Sequence, residues 1–367
     1  MRQYRFIIVG SGWRSLYYVR IAKALSSKLK LEAMLCRSNE KAEMIANTHH
    51  IPTSASIEEC VSLKPDFVVV AVDKSHIAEV SMEWLEKGFP VLCETPAALD
   101  LETLNKLWTM HTKGHKLIVA EQYTHYPINI ARKKILDRKL ISDPDYLYLS
   151  LAHEYHGISL MRSFLDLGID TPFSISGQSF LFPTVETLSR YERFTDGRIA
   201  SKKRDLALFT FENNKVCLYD FDSEQYRSPI RNDSYKIQGS NGEILNDTLT
   251  YLNNNETVKD SIVIKSHSAD NDDTNPNLNH YEVIDQISYK DEILYSSPFT
   301  DCELSSDETA IAMMLLKMGE YVSGGKEPYP LSEAFQDAYM AILLRQALKD
   351  NKKVISEKMI WQNNQCI

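Results

Sequence analysis

Gly10 and Gly12, with Ser15 three residues further on, carry the clearest chemistry in this chain. They follow the apolar run Phe6-Ile7-Ile8-Val9 and precede a helical pattern that begins at Trp13. A strand that turns through Gly-x-Gly-x-x-small into a helix is the arrangement that receives the pyrophosphate of a dinucleotide. Gly10 permits the tight turn. Gly12 puts no side chain in the way of the phosphates, which meet the N–H groups and positive dipole end of the helix. Ser11 sits between the glycines, and the backbones of Trp13 and Arg14 come next to the phosphates. Ser15 replaces the third glycine or alanine of the pattern and is small enough for close helix–strand packing. The competing reading is a glycine-rich turn with no ligand.

The second strand speaks to the choice of cofactor. NAD sites place Asp or Glu about 20 residues after the glycine turn, where it accepts from the ribose 2′-OH. Here the strand ends Leu35-Cys36-Arg37-Ser38, with no acid. Arg37 suits pairing with a 2′-phosphate and Ser38 suits donating to one, which a carboxylate would repel. The sequence therefore predicts NADP(H), with NAD as the alternative and a merely solvated Arg37 as the plain reading.

These residues need a scaffold, and 367 residues are more than one core usually organises. Over the first 120 residues, short apolar runs alternate with helical patterns. Strands are predicted at Phe6–Val9, Leu31–Leu35, Phe67–Val72, Val91–Cys93 and Leu117–Ala120, with helices at Trp13–Leu25, Asn39–Thr48 and Ile77–Lys87. Gly88 stands where a C-cap would. Such alternation implies parallel strands joined by crossovers. Beyond Glu121 the pattern changes. A strand at Tyr146–Leu151 and a helix at His156–Leu167 lead into a run of strands: Leu206–Phe211, Val216–Phe221, Tyr235–Gln238, Glu243–Leu245, Ser261–Lys265, Tyr281–Ser288 and Glu292–Tyr295. An antiparallel sheet explains them with short turns such as Glu212-Asn213-Asn214-Lys215. Ser266–His280, rich in Asp and Asn, reads as an exposed loop, and helices at Ser306–Val322 and Ser332–Lys349 close the chain. The predicted architecture is a Rossmann-type parallel sheet with helices over residues 1–122, then an α/β domain on a large open antiparallel sheet over 123–367.

Composition narrows the partners. A formal net charge of −9 speaks against nucleic acid or an anionic membrane. No apolar run reaches the ~18 residues of a transmembrane helix. Arg2 and Arg5 lead into an apolar segment too short for a signal core. The six cysteines are scattered with no CxxC pair, so no metal site is predicted and a reduced, cytoplasmic protein is the simple reading.

With these residues in place, the chain resembles the Gfo/Idh/MocA oxidoreductases over nearly its whole length. The glycine turn matches. Val70-Ala71-Val72-Asp73-Lys74-Ser75-His76 looks like the family's strand and loop with its His, and Cys93-Glu94-Thr95-Pro96 like its Glu-Lys-Pro motif. Ala120-Glu121-Gln122-Tyr123 looks like the strand into its interdomain segment, and Gly239-Ser240-Asn241-Gly242 like a hairpin of its C-terminal sheet. The resemblance implies an oxidoreductase acting on CH–OH or a related carbonyl or imine group of a sugar, polyol or similar small molecule. It also implies a homodimer or homotetramer formed through the sheet, and it places Val72, His76, Glu94 and Gln122 near the cofactor. Two positions depart from the pattern. Thr95 stands where the family has Lys, and it can hydrogen-bond but not titrate near neutral pH. Ala152 stands where an Asp precedes the matching His156 by four residues. What remains is the cluster His153, Glu154, Tyr155 and His156. His156 is the first candidate for proton donor or acceptor, with His153 or Tyr155 as substitutes; capping or packing competes for each. The departures keep open a redox-neutral sugar lyase or glycosidase with tightly held cofactor, and a non-catalytic NADP(H) sensor.

Overall fold

Strands buried on both faces need near-continuous apolar sequence, and the computed structural model of the chain puts such strands at the centre of its first sheet. The structure describes residues 2–270 and 280–363. The elements of the first stretch are β1 (Tyr4–Val9), α1 (Trp13–Ala24), β2 (Leu29–Leu35), α2 (Asn39–His49), β3 (Thr53–Ser54), α3 (Ile57–Ser62), β4 (Phe67–Val70), α4 (Ile77–Glu86), β5 (Val91–Cys93), α5 (Leu101–Thr112) and β6 (Leu117–Val119). All six strands are parallel, in the order β3-β2-β1-β4-β5-β6. The order reverses between β1 and β4, and in open α/β sheets ligands bind beyond the carboxyl ends of the strands at such a point. Gly88, at φ +86, follows α4 as expected of a helix C-terminus.

Two helices of this stretch lie outside the sequence expectations, α5 although its buried Leu104, Leu107 and Trp108 share one face. α3 is six residues long with Ser56 as its cap; α5 is capped by Asp100, whose carboxylate accepts from Thr103 N at 2.8 Å.

The second stretch comprises α6 (Pro127–Asp137), β7 (Pro144–Ser150), α7 (Glu154–Leu165), β8 (Phe173–Val185), β9 (Ile199–Phe211), β10 (Val216–Asp222), β11 (Ser234–Gly239), β12 (Gly242–Leu245), β13 (Thr248–Asn253), β14 (Glu256–Asp270), β15 (His280–Tyr289), β16 (Glu292–Ser296), α8 (Ser306–Val322), α9 (Leu331–Asp350) and β17 (Val354–Ile355). Its eleven strands form one sheet in the order β16-β15-β14-β13-β12-β11-β7-β10-β9-β8-β17. The sheet is antiparallel as expected except at one place, where β10 runs parallel to β7. No hairpin links that pair: β7 leads into α7, so its neighbour is chosen by packing rather than by a turn. The residues 212–215 turn joins β9 to β10 as expected, with Asn214 at φ +61.

The exposed loop expected over Ser266–His280 is corrected at both ends. Residues 266–270 finish β14 and His280 begins β15, while 271–279 lie outside the described residues. Polar cross-strand pairs explain why hydrophobicity gave no strand signal there: Ser266 Oγ donates to Glu282 at 2.6 Å, and the His267 ring lies 3.2 Å from Asp285. β8 was also unread, because Gly177 and Pro183 interrupt its alternation; a Cβ at Gly177 would meet the Ala207 side chain at 2.9 Å. No helix among the described residues is long and apolar enough to cross a membrane.

The chain divides into two compact units, Met1–His125 with Phe299–Tyr339, and Tyr126–Pro298 with Met340–Ile367. In the first, α8 packs on the parallel sheet's own elements. Ser305 and Glu308 close a capping box at its start. Gly319 lies against the Tyr4 ring, which a Cβ would meet at 2.3 Å. Lys317 brings its Nζ to 3.4 Å from His125 Nε2. Burial, and then the charge of Lys317, push the His125 imidazole down to about 4. The folded state thus binds fewer protons than the unfolded chain between pH 4 and 6.5, so stability falls as pH drops through that window, by about 3 kcal/mol in all. Urea unfolding between pH 4.5 and 7.5 should show this slope, and His125→Gln should flatten it.

Candidate functional site

The glycine turn does two different jobs. Gly10 has φ +111, and a Cβ there would sit 2.4 Å from the Ala71 carbonyl oxygen and 3.2 Å from Val72 Cγ1. Its lack of a side chain lets β1 turn close beside the end of β4. Gly12 has φ −83, and a Cβ there would meet nothing within 4 Å. Open space therefore lies in front of the N-terminus of α1, which has no side-chain cap and no acidic residue in its first turn. That is the surrounding an incoming pyrophosphate requires. Ser15 is fully buried, as close packing demands.

At the end of β2 the structure orders the neighbourhood of Arg37. Cys36 is buried, and its thiol is pushed up by burial against opposing effects of Ser11 and Lys41. Ser11 and Lys41 thus both lie near the end of this strand. Arg37 is exposed. Ser38 is the N-cap of α2: its Oγ accepts from Lys41 N at 3.2 Å. The Glu40 carboxyl is held below its usual range by its own backbone N–H and by the Ser38 hydroxyl.

Arg14, Glu94 and Gln122, three separate candidates in the sequence, meet in one network. Arg14 Nε donates to Glu94 Oε1 at 2.8 Å and Nη1 to Asp307 at 2.7 Å. Tyr18 donates to the same Glu94 oxygen at 2.6 Å. In the amide orientation that satisfies both its groups, Gln122 accepts from Arg14 Nη2 at 2.7 Å and donates to the Ala120 carbonyl at 2.6 Å. Burial works to neutralise Arg14, but Asp307 and Glu94 outweigh it and hold the guanidinium charged. Arg20 pairs with Glu308 at 2.9 Å, a second tie between α1 and the start of α8. Tyr18, Arg20, Asp307 and Glu308 were not singled out in the sequence. The two acids lie nearly 300 residues from α1, and no local signal joins them.

His76 is exposed, with Nδ1 3.0 Å from Ser75 Oγ, and its side chain does not cap α4. Thr95 is half-buried and its bond to Pro96 is cis.

In the second unit, His153, Glu154, Tyr155 and His156 form the start of α7. Ala152 is fully buried, and a Cβ at Gly157 would lie 2.6 Å from its carbonyl oxygen, so the helix start is tightly seated. Tyr155 and His156 are only 2% and 6% exposed, whereas His153 is exposed. The His153 and His156 rings lie edge to face at 5.4 Å. Tyr226 brings its hydroxyl to 2.7 Å from His153 Nδ1 and accepts from His153 N at 2.8 Å. Sequence reasoning missed Tyr226, which sits in an irregular segment more than 70 residues away. Among the described residues, no group of three or more His, Cys, Asp or Glu is placed to hold a metal ion.

Residues 4–122 match the model of the Gfo/Idh/MocA oxidoreductase family, NAD-binding Rossmann fold. Solved structures share the fold across almost the whole chain. One is an oxidoreductase from Agrobacterium radiobacter in complex with NAD+, L-tartaric acid and magnesium (TM-score 0.66, 12% identity, 96% of this chain and 98% of that one). Another is a putative NADPH-dependent oxidoreductase from Desulfitobacterium hafniense (TM-score 0.65, 13% identity, 97% and 98%). A third is the apo scyllo-inositol dehydrogenase of Lactobacillus casei (TM-score 0.62, 13% identity, 96% and 98%). At such identities the likeness establishes the fold. No curated protein matches the sequence.

Proposed function

We propose, from the match of residues 4–122 to the Gfo/Idh/MocA NAD-binding Rossmann model, that the chain is an oxidoreductase of that family, preferring NADP(H) and working in the cytoplasm. It carries hydride to or from a sugar, polyol or related small carbonyl compound. The observation that carries the reading is the open, uncapped, acid-free N-terminus of α1 in front of Gly12. Gly10, Ser11, Gly12 and the first N–H groups of α1 would hold the pyrophosphate. The exposed Arg37 would take the 2′-phosphate, with Lys41 behind it, while Ser38 keeps the start of α2 in place. The nicotinamide supplies the hydride. His156, with His153 or Tyr155 as substitutes, would be the proton donor or acceptor, and Thr95 stands where a lysine is usual in the family. The dehydrogenase among the fold's relatives acts, by its name, on an inositol, in keeping with this substrate class. We also infer that a second copy of the chain covers the open sheet face. Leu208, Leu245, Val263 and Ile293 are exposed there, each at least 42%.

The test is titration with NADPH and with NADH, followed by tryptophan fluorescence, on the protein and on Arg37→Ala. Charge-assisted pairing with a phosphate contributes about 1.5–3 kcal/mol. The variant should therefore lose roughly 10- to 100-fold in NADPH affinity while NADH binding stays unchanged. Equal binding of both cofactors by the unaltered protein would remove the NADP(H) preference. Binding of neither would remove the oxidoreductase reading.

A further inference from the structure

Lys317, on α8, holds its amino group against an imidazole rather than a carboxylate. Its Nζ lies 3.4 Å from His125 Nε2, and among the described residues it forms no ion pair. We propose that Lys317 is a modification site: an amine of the first unit whose Nζ, as nucleophile, takes an acyl group from a thioester or an acyl phosphate. The inference goes beyond the oxidoreductase reading and does not depend on it.

The elements packed on α8 send their charges elsewhere. On α8 itself the residues one turn from Lys317 are Met313, Met314, Glu320 and Tyr321, so Glu320 supplies the carboxylate of that face. From α1, Arg14 and Arg20 reach Asp307 and Glu308, about 14 Å back along the helix axis. β4 presents only Phe67, Val68, Val69 and Val70. Past the last turn of α8, Arg2 reaches Ser323, and Lys116 donates to the Tyr321 carbonyl. His125 comes from the short turn Tyr123–His125. Its imidazole is neutral at pH 7, since burial and then the charge of Lys317 push it down to about 4. A neutral ring that accepts from Lys317 at Nε2 carries its own proton on Nδ1. It offers the ammonium a lone pair and no negative charge.

Burial lowers the amine's hold on its proton and outweighs the attraction of Glu320. Desolvation of this kind is one way a lysine becomes a nucleophile at neutral pH. The Nζ lone pair adds to the acyl carbon, and the C–S or C–O bond to the leaving group breaks. The proton lost from nitrogen passes through water to the departing thiolate or phosphate, so amine and thioester give amide and thiol. Nothing is oxidised or reduced. The product fits the position, because an amide carries no charge and the cost of holding an ammonium in a half-buried place disappears. A protonated imine formed from an aldehyde would keep that cost, which favours an acyl donor over a carbonyl compound. Modification would also remove the second cause of the low His125 value. The imidazole would then titrate closer to its unfolded value, so the fall in stability between pH 6.5 and 4 should be shallower in the acylated protein.

The full-length protein would be incubated near pH 7.5 with acetyl phosphate and, separately, with the acetyl thioester of N-acetylcysteamine. Peptide mass spectrometry then follows acetylation at each lysine. Lys317 should react several-fold faster than Lys326, an exposed lysine of the same unit. The advantage should shrink as pH is raised toward about 10.4, where an ordinary lysine is itself half unprotonated. Reaction with one donor alone would support the site and identify the source of the acyl group. A Lys317 rate at or below that of Lys326 with both donors would overturn the proposal, whatever the cofactor titration gives. His125→Glu tests the cause: a carboxylate beside Nζ should bring Lys317 to or below the rate of Lys326. His125→Gln keeps a neutral acceptor and should leave Lys317 fast. Melting temperatures near that of the unaltered protein show that both variants fold. An unchanged rate in folded His125→Glu would refute the role given to the missing carboxylate; if that variant does not fold, the rates and pH profile of the unaltered protein decide alone.

Discussion

Gly10→Ala should cost the first unit on the order of 4 kcal/mol, while Gly12→Ala, two residues away, should leave stability within about 1 kcal/mol and damage cofactor binding instead. At Gly10 two penalties coincide. A φ of +111 is outside what an L-residue adopts readily, worth about 1–3 kcal/mol alone. The new Cβ would also press on the Ala71 carbonyl oxygen at 2.4 Å and its carbon at 2.9 Å. Both atoms belong to the backbone beyond β4, so relief requires the sheet edge itself to move. In a unit of this size the melting temperature should fall on the order of 10 °C. At Gly12 φ is −83 and the Cβ would enter open space, so folding is barely affected. That space is where the phosphates would come closest to the backbone. Gly12→Ala should therefore weaken NADPH binding by roughly 10- to 100-fold at unchanged melting temperature, a range corresponding to about 1.4–2.8 kcal/mol. Calorimetry and fluorescence titration on the same two variants separate the effects. Unchanged NADPH affinity in Gly12→Ala would remove the turn from the cofactor site.

The contrast between these glycines shows what the sequence made legible. Spacing identified the turn, and the periodicity of apolar residues placed its strand and helix, because those signals are local. It placed Val91–Cys93 and Ser306–Val322 with the boundaries the structure has. The motif gave Gly10 and Gly12 different jobs, but not what Gly10 avoids, the carbonyl of Ala71, 61 residues on. Neither did it connect Asp307 and Glu308 to α1, or Tyr226 to His153. Each of those is a pairing of side chains across long stretches of chain, fixed only when the elements pack. The resemblance to a family anticipated the parallel sheet and the large open one. Yet the two positions where this chain departs from the family, Thr95 and Ala152, are where resemblance has least to say. There the structure adds something of its own: a buried His156, an exposed His153, and a tyrosine bonded to the latter.

Arg14→Met should lower the stability of the first unit by about 3–5 kcal/mol. The guanidinium is mostly buried and its donors go to Glu94, Asp307 and Gln122. Removing it leaves two carboxylates, 12% and 23% exposed, facing one another with their cation gone. Breaking a buried ion pair from one side carries that cost, because an uncompensated charge stays behind. The deficit is read by urea unfolding, and Asp307→Asn added to Arg14→Met should recover part of it, because it removes one of the two carboxylates left without their cation. Arg14→Lys should not rescue fully, since an ammonium cannot present the fork that reaches all three partners. The same measurements decide whether the side chain of Arg14 serves the fold or the phosphates. A large loss of stability with NADPH affinity nearly unchanged assigns it to the tie between α1 and α8. A loss of affinity with stability intact would make it a phosphate ligand, and the network around Glu94 would have to open when the cofactor arrives.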